Sequence, residues 1–172
     1  MKVFGRIILV IFGILLLLFG GMAVVGLIAN PDFQGEDTQV IHTSIDELWG
    51  VLNDVEGLPE RRKDIVEVTV SERDNNGNPM LWTETPDMGG YIEFMVEERV
   101  EQKKLALKMQ KSSFGMTGTW SYELEDLGDS CRVKISEASK IDSWLTRSMM
   151  QLAGRDANIQ NEFRLLHEHV KK

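Results

Sequence analysis

Glu137 closes an alternating run in which Val133 and Ile135 share one side, so strand parity turns its carboxyl toward the apolar face. Glu84 stands in the same relation to Trp82. A carboxyl on an apolar face has its pKa raised by desolvation and can act as an acid, a base or a hydrogen-bond donor. The competing reading puts Glu137 at the strand end, where alternation lapses, and pairs it with Arg132 or another surface cation. Asp156 is a third carboxyl, falling on the apolar stripe of the terminal helix. There a pocket role competes with capping a helix that restarts after Gly154.

Metal and nucleophile chemistries lack comparable support. His167 and His169 are two apart on a helical pattern and point in different directions, and His42 is alone. Cys131 is the one cysteine, which excludes an internal disulfide and a cysteine-based zinc cluster. It begins a strand, with no helix N-terminus to activate the thiol, and no nucleophile elbow or triad spacing accompanies it. The glycines at Gly89-Gly90 and at Gly115 and Gly118 read as strand turns rather than a phosphate cradle. None of these patterns calls for a cofactor.

The elements around these residues follow from period and punctuation. Residues 30–36 read as a linker and Asp37 to Ile41 as a first strand. Ser44 and Glu47 form a capping box for a helix carrying Ile45, Leu48, Trp49 and Leu52, which Gly57-Leu58-Pro59 breaks. Alternating runs then centre on Val66–Val70, Leu81–Thr85, Ile92–Val96, Leu105–Met109, Trp120–Leu124 and Cys131–Ile135, each bounded by turn residues. Successive turn-separated strands predict an antiparallel meander. Finally Leu145, Met149, Leu152, Ile159, Phe163, Leu166 and Val170 make one helical stripe, with a kink expected at Gly154.

Ahead of all this, Ile7 through Ala29 carry no charged side chain. At about 1.5 Å per residue the run is about 35 Å long as a helix, enough to cross a hydrocarbon core of about 30 Å. It exceeds the apolar core of a secretory signal, about 7–15 residues, and ends without an A-x-A-like cleavage pattern. Residues 1–29 are therefore expected to be a retained anchor. Lys2 and Arg6 before it, against Asp32, Glu36 and Asp37 after it, favour a cytoplasmic N-terminus and a domain on the outer (periplasmic or extracellular) face.

The whole chain carries a net charge of −8, and the part beyond the basic anchor flank is more acidic still. Such a surface repels phosphate backbones and argues against nucleic-acid binding. Residues 37–172 are the size of one domain.

Several strings in order resemble the START-like, or SRPBCC, superfamily, and within it the polyketide cyclase/dehydrase-like branch. Ile45-Asp46-Glu47-Leu48-Trp49 with Asp54 and Pro59 is similar to its opening helix. Gly118-Thr119-Trp120-Ser121-Tyr122 is similar to its Gly-x-Trp-x-Tyr strand. Arg132 through Glu137 and Gly154 through Ile159 are similar to its last strand and final helix. The resemblance spans roughly Val40 to Val170. One departure stands out: Arg61 occupies the position two after the proline where members often carry tryptophan.

The resemblance implies an α+β helix-grip fold, in which a curved antiparallel sheet wraps the long C-terminal helix around a hydrophobic cavity. Trp82, Phe94, Leu107, Trp120, Tyr122, Ile135, Met149 and Phe163 would line that cavity, with Glu84, Glu137 and Asp156 as its polar groups. For each aromatic the alternative is ordinary core packing. The expected function is a tethered domain binding a lipid or other hydrophobic small molecule, in contact with the bilayer and with no particular protein partner indicated. Two alternatives stay open: a cyclase or dehydratase working through Glu137, and an interaction module whose interior is filled.

Overall fold

Residues Lys2–Ile28 form helix α1, whose apolar side chains stand exposed around its circumference. Its Phe4–Ile28 part has a mean hydropathy of 3.0 and is long and apolar enough to cross a membrane. The computed structural model describes residues 2–170. Met1 of the expected anchor, the side chains of Lys2 and Val3, and Lys171 and Lys172 of the expected domain lie outside the described residues.

Strand β1, Asp32–Ile41, begins five residues ahead of the expected Asp37, so most of the anticipated linker 30–36 is sheet. The reason is tertiary. The last strand runs on past Ile135, and β1 pairs with it continuously from Asp32↔Lys140 to Ile41↔Cys131. Phe33 is buried in this added stretch. Gly35, read as a linker glycine, leaves room for the Phe33 ring and Ile159, which a Cβ would crowd. Only Ala29, Asn30 and Pro31 separate α1 from β1, and the Asn30 side chain accepts from the Asp32 amide at 3.0 Å.

Helix α2, Ile45–Asn53, starts at Ser44, whose hydroxyl accepts from the Glu47 amide at 3.3 Å. Only half of the expected capping box forms, because Glu47 turns instead to the Thr43 hydroxyl at 2.7 Å. Helix α3, Leu58–Arg61, follows with proline in its first turn, where no amide is needed. Arg61 binds the Asp54 carboxylate and backbone carbonyls at the end of α2, so it locks the two helices together.

The strands β2 (Ile65–Arg73), β3 (Pro79–Pro86), β4 (Ile92–Val100), β5 (Lys104–Ser112), β6 (Met116–Asp126) and β7 (Cys131–Ile141) complete a seven-stranded antiparallel sheet ordered β1-β7-β6-β5-β4-β3-β2. Register shifts interrupt the β2–β3 and β4–β5 ladders. Bulges of this kind bend strands and increase twist, which suits a sheet curved around a helix. At Gly118 the β6 backbone approaches β7 so closely that a Cβ would overlap the Ala138 carbonyl.

The terminal stripe forms two helices rather than one kinked rod. Helix α4, Trp144–Ala153, stops at Gly154, whose φ of +98° takes the chain out of helical geometry. Helix α5, Ala157–His169, then lies in the sheet's concave face and buries Ile159, Phe163 and Leu166 among Ile41, Leu48, Leu105, Val133 and Ile135. Helix α4 packs on α1 instead. The Trp144 and Phe19 rings meet edge to face at 5.6 Å, and Arg147 Nε donates to the Gly26 carbonyl at 2.7 Å. The sheet's concave face therefore holds α5, while α4 meets the domain through bonds from Thr146 and Arg147.

Candidate functional site

Between the sheet and α5 lies a cavity of about 400 Å³. Its walls come from alternate residues of successive strands, as period-two geometry requires. Trp82 and Glu84 project from β3, Phe94 from β4, Leu107 from β5, Trp120 and Tyr122 from β6, and Glu137 and Ser139 from β7. Asn158, Glu162 and Leu165 close it from α5, and Arg62 and Leu58 from the α3 end. Trp82 stacks on Phe94 at 5.8 Å, giving one wall a continuous aromatic surface.

The polar groups fall into two sets. In the first, Arg62 pairs with Asp64 at 2.8 Å and with Glu162 at 3.3 Å, and the Tyr122 hydroxyl donates to Glu162 at 3.0 Å. Burial works against the Arg62 cation, but the bond to Asp64 and the charges of Glu162, Asp64 and Glu84 outweigh it, holding the guanidinium more firmly protonated. Burial, with the Glu162 charge beside it, pushes the Tyr122 phenol well up, so it stays a neutral donor. Glu84 accepts from Trp82 Nε1 at 3.0 Å, and burial raises its carboxyl despite that bond and the nearby Arg62.

Glu137 anchors the second set. Ser139 donates to its Oε1 at 2.8 Å, while Oε2 is buried with no hydrogen-bond partner. Desolvation raises the carboxyl, opposed by Ser139 and by Asn158 beside it. On the neighbouring strand, Trp120 lies directly across from Glu137, and its indole Nε1 is also buried and makes no regular hydrogen bond, although it lies close enough to the Tyr122 phenol to lower it. Buried polar groups are ordinarily partnered, and leaving one bare costs about 1–3 kcal/mol. A donor and an acceptor side by side on one wall suit a hydroxyl or carbonyl carried by an otherwise apolar guest.

Of the expected residues, Trp82, Glu84, Phe94, Leu107, Trp120, Tyr122 and Glu137 line the cavity. Four do not. Ile135 and Phe163 keep the predicted inward direction but lie in the solid core, 0% and 1% exposed. Met149 faces outward because α4 leaves the sheet for α1, and Met150 lines the cavity in its place. Asp156 is exposed at the N-cap position of α5, without a capping bond from its side chain. Glu137 is no strand-end residue, since β7 continues through Ile141. Arg62, Glu162 and Asn158 were not anticipated. Their only sequence signal is position: Glu162 adjoins Phe163 on the buried helix, and Arg62 leads out of α3.

Other reactive groups are occupied elsewhere. Cys131 is buried, donates to the Thr43 carbonyl at 3.3 Å, and has its thiol pKa raised by desolvation. His167 Nε2 lies 3.2 Å from Gln39 Oε1. Among the described residues no group of three or more His, Cys, Asp or Glu side chains could hold a metal ion.

A family model described as polyketide cyclase / dehydrase and lipid transport matches residues 41–163. The chain belongs to this family. The fold is similar to that of solved structures as well. A START superfamily protein from Mycobacterium smegmatis has a TM-score of 0.67 and 16% identity, covering 80% of this chain and 97% of its own. The Zhui aromatase/cyclase from a Streptomyces species has a TM-score of 0.67 and 11% identity, covering 81% and 94%. Norcoclaurine synthase from Thalictrum flavum in complex with dopamine and hydroxybenzaldehyde has a TM-score of 0.61 and 11% identity, covering 86% and 90%. At such identities these likenesses speak to the fold alone. No curated protein matches the sequence. As a family member with an open interior, the chain is a hydrophobic ligand-binding domain in outline.

Proposed function

We propose that this protein is a membrane-tethered carrier or sensor that holds one lipid or other hydrophobic small molecule between its sheet and α5. The observation carrying this reading is the open cavity of about 400 Å³, with aromatic and aliphatic walls and only a few polar groups. Concave sites of about 300–1,000 Å³ with that composition are typical of small-molecule binding. The unpartnered Trp120 Nε1 and Glu137 Oε2 favour a guest with one hydroxyl or carbonyl among apolar atoms. The α1 helix tethers the domain to the bilayer, with the N-terminus cytoplasmic and the domain outside. Tethering keeps the cavity within reach of a guest that partitions into lipid.

Native mass spectrometry of the full chain released from nanodiscs tests the reading. One bound small molecule is expected, and Leu107→Trp, which fills the cavity wall, should abolish it. An apo mass after exposure to a range of lipids and sterols would leave the interaction module as the better account. Protease shaving of intact cells checks the orientation: a protected domain would reverse it.

A second reading, acid–base catalysis by Glu137, is favoured by its raised carboxyl and free Oε2. Glu137→Gln separates the two. A carrier keeps most of its occupancy, whereas an acid–base enzyme loses about 10²–10⁴-fold in turnover.

A further inference from the structure

Helix α4 is held on one side and open on the next. Arg147 and the wholly buried Ser148 grip α1 at Gly26, where a Cβ would overlap the Trp144 carbonyl. Beside Ser148 the helix presents Leu145, Met149 and Leu152, spaced four and three apart and 40%, 49% and 68% exposed. A single exposed leucine needs no explanation, but three on one helical stripe do. What covers them is indicated by the helix that α4 packs against. Val24, Leu27 and Ile28 of α1 are 58%, 67% and 79% exposed, and they belong to the same stretch that α4 is packed against.

Gly26 lies two residues from the end of α1, about 3 Å along the axis. If the apolar run of α1 spans the hydrocarbon core, its end lies where acyl chains meet headgroups, and α4 is held at that level. The Trp144 ring reaches further along α1 to Phe19, the direction that leads into the bilayer. On the domain side, Thr146 donates to the Phe114 carbonyl between β5 and β6 at 2.8 Å, so α4 is joined to the domain by a polar bond, and just beyond α4 Arg155 donates to the Asp32 carbonyl at 2.7 Å. A helix with an apolar stripe free and its remaining sides taken up by α1 and the domain is placed to lie in a membrane interface.

We propose that α4 is an interfacial helix, its Leu145–Met149–Leu152 stripe bedded in the acyl–headgroup boundary of the phospholipid bilayer that α1 crosses. The inference rests on the reading of α1 as a retained anchor. It has a consequence for the cavity. Met150, next to Met149, lines the cavity, so that end of the site is set against the membrane, and an apolar guest can pass between lipid and protein with little exposure to water.

Site-directed spin labelling of the full chain in phosphatidylcholine–phosphatidylglycerol liposomes tests it, using single cysteines in a Cys131→Ser background. Labels are placed at Leu145, Met149 and Leu152, at Leu16 within α1, and at Asp129 in the β6–β7 turn. The three α4 labels are expected to follow Leu16, with relaxation by oxygen several-fold above that by a water-soluble nickel chelate, and Asp129 to show the reverse. If the α4 labels follow Asp129 while Leu16 remains in lipid, the interfacial helix is overturned and the anchor stands. If Leu16 is also in water, the anchor fails and takes the proposal with it. Labels shielded from both reagents would mean that a protein surface, such as a second copy, covers the stripe, and would overturn the proposal.

Discussion

The Arg62 guanidinium stands 3.3 Å from the Glu162 carboxylate across 100 residues of sequence, and the same carboxylate accepts from Tyr122 at 3.0 Å. One α5 side chain thus joins the α3–β2 corner to the middle of β6 at the cavity wall. The triad both closes the site and aligns the helix on the sheet.

Replacing Glu162 with Ala leaves Arg62 paired only to Asp64 and strips the Tyr122 hydroxyl of its acceptor. Losing buried partners of this kind costs about 1–3 kcal/mol, readable as a lowered urea midpoint with an unchanged slope. The Tyr122 phenol should also titrate lower than in the native chain, because the Glu162 charge and bond that raise it are gone. It should remain above the ordinary value of 10.0, since burial persists. An unshifted phenol in an ultraviolet titration would show that Tyr122 does not sense Glu162 in solution.

Burial raises the carboxyl of Glu137, so the folded state holds its proton more tightly than the unfolded chain does. That stabilising contribution is complete below the ordinary carboxyl value of 4.5 and is lost as pH rises through the folded value. Asp37, Asp64 and Asp74, lowered chiefly by bonds from Gln39, Arg62 and Asn78, act oppositely and lose their contribution as pH falls. Glu137→Gln removes only the first effect. Its thermal midpoint, measured against that of the native chain, should therefore gain steadily from mildly acidic to neutral pH. A difference independent of pH would mean that Glu137 titrates normally.

Phe163 and Phe94 are both aromatic and both inward, but only Phe94 faces open space. Truncating Phe163 to Ala leaves a void within close-packed atoms and costs about 3–5 kcal/mol. Phe94→Ala enlarges an existing cavity and loses the Trp82 stack, so its cost should be clearly smaller. Chemical denaturation of the two variants side by side decides it, and equal losses would contradict an open interior.

Gly26 is the contact on which α4 and α1 meet. A methyl group there would overlap backbone rather than a yielding side chain, so Gly26→Ala must separate the helices. Amide exchange in α4 should speed up by about tenfold or more, the equivalent of roughly 1.4 kcal/mol, in nanodiscs. The buried strands β6 and β7 should keep their protection. Unchanged α4 exchange would show that the two helices do not pack as described.

Much of the architecture was legible in the chain. The charge-free run of α1, the period-two segments and the stripe of Ile159, Phe163 and Leu166 each signal locally which side of an element avoids water. Seven of the eleven expected pocket residues line the cavity for the same reason, since strand parity alone orients them. Parity does not say how far along a strand the core is solid, which is why Ile135 is expected in the pocket but lies in the core.

The amino-acid sequence by itself determined the helix able to span a membrane, the meander of strands and the inward carboxyls, because these follow from spacing between near neighbours. Tertiary structure alone decided that β1 starts at Asp32, that α4 sides with α1 rather than α5, and that Arg62, Glu162 and Tyr122 converge. Each of those depends on an element distant in the chain. A periodic pattern records which face is buried, while the identity of the covering surface emerges only when the backbone has closed.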